Sequence, residues 1–492
     1  MQRLLNKRPD DAPARFDFPL LGTAAVGGVA LIGAAILSEA FLILSLGLVV
    51  SAWLFPAASW ACLAYFALVF GFGGIVDYYP LDLGPANLYA IDLAFVLAAC
   101  TALHAVKPYL WGRASSETRL PLEIAVIGLA TAWIVYGLLM LAYGLLVQGN
   151  PADLAFGDYR RYCCYMLPFF FPLFLPMRDD RHVRALKYVV VMGGLIVIGI
   201  GLFRLATGTP ARVDEDFETG YFGSRLLLMI ESMSLVMLLA YLVGVLRTHR
   251  RFPILIAATL LALVAVVLLL LSGYRLSMLY AVLAPIGALA LLAWARREKP
   301  GRAIKAALLA ATLAVPPVLL TPVLLPDQFD KAMLDLRMRL RNVDVQGGFR
   351  VWAYKQALRE FVESPVVGKG FGYYIYVPKR TQAGLLEYQE MNNPHNLFLG
   401  VLYQGGVVGF APFFLLHALV LFYAVRQLRR IPHDHLPVYV ALLVGFLCYL
   451  GYANVQPFVA SQHIVMAAVM GLLIRLTRPV TTLADATQAA QG

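Results

Sequence analysis

Apolar runs close to 20 residues long recur from residue 19 to residue 476 of this 492-residue chain. Crossing the hydrocarbon core of a bilayer as a helix takes about 20 such residues, so this recurrence fixes the class before any motif is read. The runs fall at about 19–37, 40–56, 58–76, 89–106, 122–147, 162–177 and 187–206. They continue at about 225–246, 252–272, 276–295, 304–325, 396–425, 437–454 and 460–476. The expected fold is therefore an all-α polytopic integral membrane protein of about 14 transmembrane helices; the breaks among the runs before Trp60 are short. Composition excludes a soluble domain, since 60% of residues are hydrophobic and only 14% are charged. The net charge of +11 then reads as basic cytoplasmic loops and not as a nucleic-acid surface.

Charge orients the spans. With residues 1–18 inside, carrying Arg3, Lys7, Arg8 and Arg15, the inner loops hold about 24 basic residues and the short outer loops about six. Both termini are expected in the cytoplasm. The organisation expected is a cytoplasmic start over 1–18, eleven spans over 19–325, and a large outer loop over 326–395. The last three spans cover 396–478, followed by a small, polar cytoplasmic tail over 479–492 of disordered composition. No signal-peptide cleavage pattern stands out, so the first apolar run is expected to remain as an anchor. The five cysteines lie in or beside apolar runs without metal-ligand spacing, which predicts neither a disulfide framework nor a zinc site.

The outer loop is far longer than ordinary connections. Two stretches in it look helical: Asp330–Leu340, which is basic, and Arg350–Val362. In the second, Val351, Tyr354, Leu358 and Phe361 form an amphipathic stripe. Pro365, Gly368, Gly370 and Gly372 mark a turn, and Tyr373, Tyr374, Tyr376 and Tyr388 read as an irregular aromatic lid. The loop ends in NNPHNLFLGVLYQGGVVG, residues 392–409. Asn393 is a good N-cap and Pro394 suits the first helical position, which puts His395 and Asn396 in the first turn. There the helix dipole disfavours imidazolium, and a neutral histidine can accept a proton. The same residues also suit a capped helix whose histidine is only interfacial. Gly406 and Gly409 share one face and let another helix approach.

Topology divides the eight histidines. His104, His182, His249, His417, His433 and His435 fall on the inner side; only His395 and His463 fall outside, and His463 reads as a helix-end residue. Arg275 sits in Ser272-Gly273-Tyr274-Arg275, the single polar break in residues 252–295, where it either faces a polar cavity or snorkels to headgroups. Arg350 opens the loop helix and on its own reads first as a solvated charge. Two arginines beside one histidine would clamp an anion, because guanidinium pairs bidentately with phosphate oxygens. Glu231 and Asp92 lie inside spans and suit either a functional role or pairing with an arginine; Arg212 and Arg225 carry no assignment. No nucleotide loop, metal motif or Ser-His-Asp signature is present.

SGYR at 272–275, FRVWAYKQALREFVESPVVGKGFGYY at 349–374 and PHNLFLGVLYQGGVVG at 394–409, in that order, resemble the O-antigen ligase and O-antigen polymerase family. The matching residues are Arg275, Arg350, Trp352, Pro365, Gly368, Gly370, His395, Asn396, Gly406 and Gly409. The stretch Arg212 to Arg225 departs from the family's arginine- and glycine-rich lead. The resemblance implies a glycosyltransferase of the bacterial inner membrane with its active site in the periplasm. It would take a glycan from undecaprenyl diphosphate and pass it to an acceptor hydroxyl, with no metal, nucleotide or other cofactor. Its partners would be that lipid-linked donor, membrane lipid, and lipid A core (a ligase) or a growing glycan (a polymerase); a protein hydroxyl is a third acceptor. His395 would be the catalytic base, and Arg275 and Arg350 the diphosphate-binding residues. Asn396, Trp352, Gly406 and Gly409 would support them. The rival class is a transporter of lipid-linked glycan, for which inverted repeats would be expected.

Overall fold

A computed structural model describes residues 71, 81–82, 87–88, 121–174, 180–216, 221–249, 251–272, 274–298, 326, 330, 343–380, 386–391, 393–455 and 460–477. Its helices are α1 Pro121–Leu146, α2 Ala152–Tyr162, the short α3 Phe170–Phe174, α4 Asp180–Thr207, α5 Met229–Thr248 and α6 Phe252–Leu270. They continue with α7 Arg275–Ala295, α8 Val343–Glu363, α9 Leu397–Gln427, α10 Leu436–Ala453 and α11 Ala460–Arg475. Three two-stranded antiparallel ladders join them: β1 Leu81–Asp82 with β2 Asn87–Leu88, β3 Arg212–Asp216 with β4 Tyr221–Arg225, and β5 Ile375–Arg380 with β6 Leu386–Met391.

Among the described residues seven helices are long and apolar enough to cross a membrane: α1, α4, α5, α6, α7, α9 and α10. Each lies on an expected run. The runs before residue 107, the run at 304–325, Asp92 and most of Asp330–Leu340 fall outside the described residues. The run at 162–177 does not make a continuous helix. It breaks after Tyr162 into a 3-10 turn, Cys164–Phe169, with Pro168 inside it, and the short α3. Proline removes a backbone donor and clashes with the preceding turn, so an apolar run alone does not secure a helix.

Helix α5 is the hub. It packs against α4, α6, α7 and α10 and is buried almost along its whole length, as expected of a helix that is apolar all round. Glycines let its neighbours close in: a Cβ at Gly445 would strike Met237, and one at Gly194 would meet Leu238. Glu231, in the first turn of α5, pairs with Arg204 of α4 at 2.6 Å and accepts from the Leu228 N–H at 2.7 Å. The intramembrane acid therefore has an arginine partner and caps a helix start.

Helix α9 is broken in the middle. Gly406 has φ 59° and ψ −169°, so the N–H groups after it and the carbonyls before it lose their helical partners. The turn at 365–370 supplies them. Val407 and Val408 donate to the carbonyls of Pro365 and Val366 at 2.8 and 3.2 Å; Lys369 and Gly370 donate to those of Tyr403 and Gln404 at 3.0 and 2.9 Å. Tyr136 of α1 takes the remaining Gly405 carbonyl at 2.9 Å. A break inside a membrane helix survives only where other protein groups satisfy the freed backbone, and here the P-x-x-G-x-G segment does so. Gly368 must be glycine twice over: its φ is +71°, and a Cβ would strike the Gln404 carbonyl. The expected shared role of Gly406 and Gly409 is thus split. Gly409, with Gly405, lets α9 close on Tyr136 and Met140 of α1, whereas Gly406 makes the break.

The aromatic loop segment, expected to be irregular, is the β5–β6 hairpin. Ile375 and Val377 on its inner face pack with Ala353 and Ala357 of α8 and with Tyr403. This also corrects the stripe expected on α8. Its buried face is Ala353, Ala357 and Glu360, while Val351 and Leu358 are exposed. Small alanines admit the hairpin more closely than the larger stripe residues would.

Candidate active site

His395 is not in the first turn of α9. The cap is Asn396, whose side-chain oxygen accepts from the Leu399 N–H at 3.0 Å, and the helix begins at Leu397. Asn393, the expected cap, is buried, and its amide donates to the Tyr162 hydroxyl at 3.1 Å. His395 sits between them with φ +57°, one of two left-handed non-glycine residues among the described ones. Such a conformation costs of order 1–3 kcal/mol and persists only where the surroundings over-determine it. Here they do: Asn393 is held by α2, and Asn396 is held both by the helix start and by the Asn454 carbonyl, to which its amide donates at 3.3 Å.

The neutral imidazole follows from its surroundings and not from the dipole of α9. Burial lowers the His395 pKa from the ordinary 6.5 to about 4, with the Arg350 charge adding to the effect. Arg350 is therefore close enough to act on His395 electrostatically. The same carbonyl of Asn454, just past the end of α10, accepts from Tyr354 at 3.1 Å, one turn along α8 from Arg350. Two residues earlier Tyr452 shares a 2.7 Å hydrogen bond with Ser277, two residues after Arg275. The end of α10 thus gathers the segments that carry Arg275, Arg350 and His395.

Arg275 is the first residue of α7 and is exposed. Its turn is built by Ser272, whose buried hydroxyl donates to the Leu269 carbonyl at 2.8 Å and accepts from the Tyr274 N–H at 3.3 Å. Tyr274 carries a further cation: the Arg225 guanidinium lies 4.0 Å from its ring centroid. The β3–β4 hairpin, whose register pairs Arg212 with Arg225, delivers that arginine to Tyr274, the residue before Arg275. Trp352 is half-exposed on α8, and the residues that actually brace α9 lie elsewhere.

One of those is Asp158, which sequence reasoning missed. It is fully buried on the amphipathic α2, 3.6 Å from Arg161. Its Oδ2 accepts from the Gly372 N–H at 3.1 Å and from the Gln404 amide at 2.8 Å. One carboxylate thus ties α2 to the glycine turn and to α9 beside its break. An acid beside Arg160 and Arg161 on so polar a helix reads as solvated; the signal that could have found it is its glycine and glutamine donors, which lie over 200 residues away.

Burial raises the Asp158 pKa from 3.8 to about 6, against the opposing pull of Arg161 and of both hydrogen bonds. The folded form then holds a proton between about pH 4 and 6 that the unfolded chain releases, so stability falls as pH rises through that window. Both bonds end on one oxygen, and an amide oxygen can accept both. Asp158→Asn is expected to flatten the pH dependence of the unfolding temperature between pH 4 and 6. Thermal unfolding of the purified protein across pH 4–7 measures this; an unchanged slope would show that Asp158 does not titrate there.

His463, the other histidine expected on the outer side, is buried on α11 with its ring edge-on to Tyr162 at 6.0 Å, so it is a core residue and not an interfacial one. Among the described residues no group of three or more His, Cys, Asp or Glu side chains is placed to hold a metal ion.

Residues 260–414 match the family model described as O-antigen ligase. The matched stretch runs from α6 through Arg275, Arg350, the glycine turn and His395 to the second half of α9, and leaves out Asp158 and Arg225. No curated protein matches the chain.

Proposed function

We propose that this multi-pass membrane protein, whose residues 260–414 match the O-antigen ligase family model, moves a glycan from undecaprenyl diphosphate to an acceptor hydroxyl at the periplasmic face of the inner membrane. The observation that carries the reading is His395: a strained, half-buried, neutral histidine beside Arg350, fixed from both sides at the mouth of α9.

His395 accepts the proton of the acceptor hydroxyl as that oxygen attacks the anomeric carbon. Arg350 and Arg275 hold the diphosphate and offset the charge that grows as it departs. Attack opposite the leaving group inverts the anomeric centre. A base with a pKa near 4 is weak at neutral pH, but a bound diphosphate would counter the Arg350 charge and lift the imidazole toward its ordinary value. Donor binding would then prepare the base that the acceptor needs. Lipid A core is the acceptor we favour, with a growing glycan, hence polymerase activity, as the alternative.

The break in α9 invites comparison with transporters, which bind ions and substrates at interrupted helices. Here the carbonyls of residues 403–405 and the N–H groups of residues 407–408 are taken up by the 365–370 turn and Tyr136, which favours a brace over a transport site.

The test uses the full chain in nanodiscs with EDTA present and a labelled glycan on undecaprenyl diphosphate. Transfer to lipid A core, with inversion at the anomeric carbon, is expected. Transfer only to a further glycan unit would make it a polymerase. No transfer to any of the acceptors, with intact donor, would overturn the reading.

A further inference from the structure

The outer face of the β5–β6 hairpin is unusual for a strand pair over a packed face. It carries Tyr376, Pro378 and Tyr388, between Glu390 at one end and the Arg380–Leu386 pair at the other. Register sets them side by side: Pro378 faces Tyr388, and Tyr376 faces Glu390. Tyr376 and Tyr388 are 48% and 60% exposed, while Ile375 and Val377 on the opposite face are fully buried, so the tyrosines contribute nothing to the packing below. Tyr376 is nevertheless held in an aromatic row. Tyr374 meets Tyr376 edge-on at 5.3 Å with their hydroxyls 3.4 Å apart, and Tyr373 stacks on Tyr374 at 6.5 Å.

Taking His395 as the base of the transfer reaction proposed above, we propose that this face binds the acceptor glycan, with pyranose rings lying on Tyr376 and Tyr388 and hydroxyls bonded to Glu390. A pyranose offers an apolar C–H face and a rim of hydroxyls. Tyrosine offers rigid apolar area with a polar tip at little entropic cost, and a carboxylate accepts two hydroxyl hydrogens. The diphosphate of the donor finds its cations elsewhere, on Arg275 and Arg350. β6 ends at Met391, so Glu390 lies five residues before His395, and the Tyr376–Glu390 end of the face is the one nearer along the chain to the imidazole. A headgroup layer is the other natural partner for exposed tyrosines, and the binding test below separates the two.

The full chain in nanodiscs is titrated with two soluble probes, the core oligosaccharide released from host lipopolysaccharide by mild acid and the delipidated glycan repeat, with binding followed by saturation-transfer NMR. The wild type is expected to bind one of the two. Tyr376→Ala with Tyr388→Ala should weaken that binding at least tenfold, Tyr388→Ala alone should weaken it less, and the corresponding Phe pair should retain most of it. Equal binding by the Ala pair, as expected if the tyrosines sit in headgroups, or no binding of either probe by the wild type, overturns the proposal. Binding that depends on the tyrosines without any glycan transfer by the wild type would instead remove the transferase reading and leave the glycan site standing.

Discussion

His395→Ala is expected to lower glycan transfer on the order of 10²–10⁴-fold, the usual contribution of a positioned general base, while donor binding is retained. The frame around His395 rests on hydrogen bonds from Asn393 to Tyr162 and from Asn396 to Asn454, with the Leu399 N–H donating to Asn396. Alanine in a left-handed position remains strained, so a protein of normal abundance and unfolding temperature is the control, and His395→Gln is the second variant. Because burial and Arg350 hold the imidazole pKa near 4, the acid limb of kcat/KM for the wild type should lie well below the ordinary histidine range. Transfer measured from pH 4 to 8 reads both effects. An alanine variant that turns over at the wild-type rate would make His395 a helix-start residue and nothing more. His463→Ala gives the contrast: buried against Tyr162, it should change stability more than turnover.

Arg350→Ala should cost on the order of 10²–10³-fold in transfer, comparable to removing one donor from a site that stabilises developing negative charge. It carries a second, independent signature. Without the Arg350 cation the imidazole loses one of the two influences that lower its pKa, so the acid limb of kcat/KM should move to higher pH. A residue that merely stabilised the loop would reduce activity without moving that limb. Arg275→Lys tests the other half of the clamp. Charge is kept and the planar fork is lost, so transfer should fall although the exposed position at the start of α7 tolerates lysine. Normal transfer at normal abundance by either variant would remove that arginine from the mechanism.

What the sequence by itself determined was whatever depends on a short local stretch. Span positions follow from run length, because the hydrocarbon thickness is fixed, and α1, α4 to α7, α9 and α10 lie where the apolar runs are. The placement of Arg275 at a helix start follows from its turn. The choice of cap did not follow, since Asn393 and Asn396 are equally good cap formers. The decision was made by the Tyr162 hydroxyl, 231 residues away in sequence, which takes Asn393 and leaves Asn396 to the helix. The hairpin left a faint local trace, the alternation of Ile375, Tyr376 and Val377, but Pro378 argues against a strand unless its missing donor faces no partner. The break at Gly406 and the burial of Asp158 left none. Both are settled by backbone donors and acceptors that need partners wherever water is excluded, and those partners are brought together only when α2, the 365–372 turn and α9 pack.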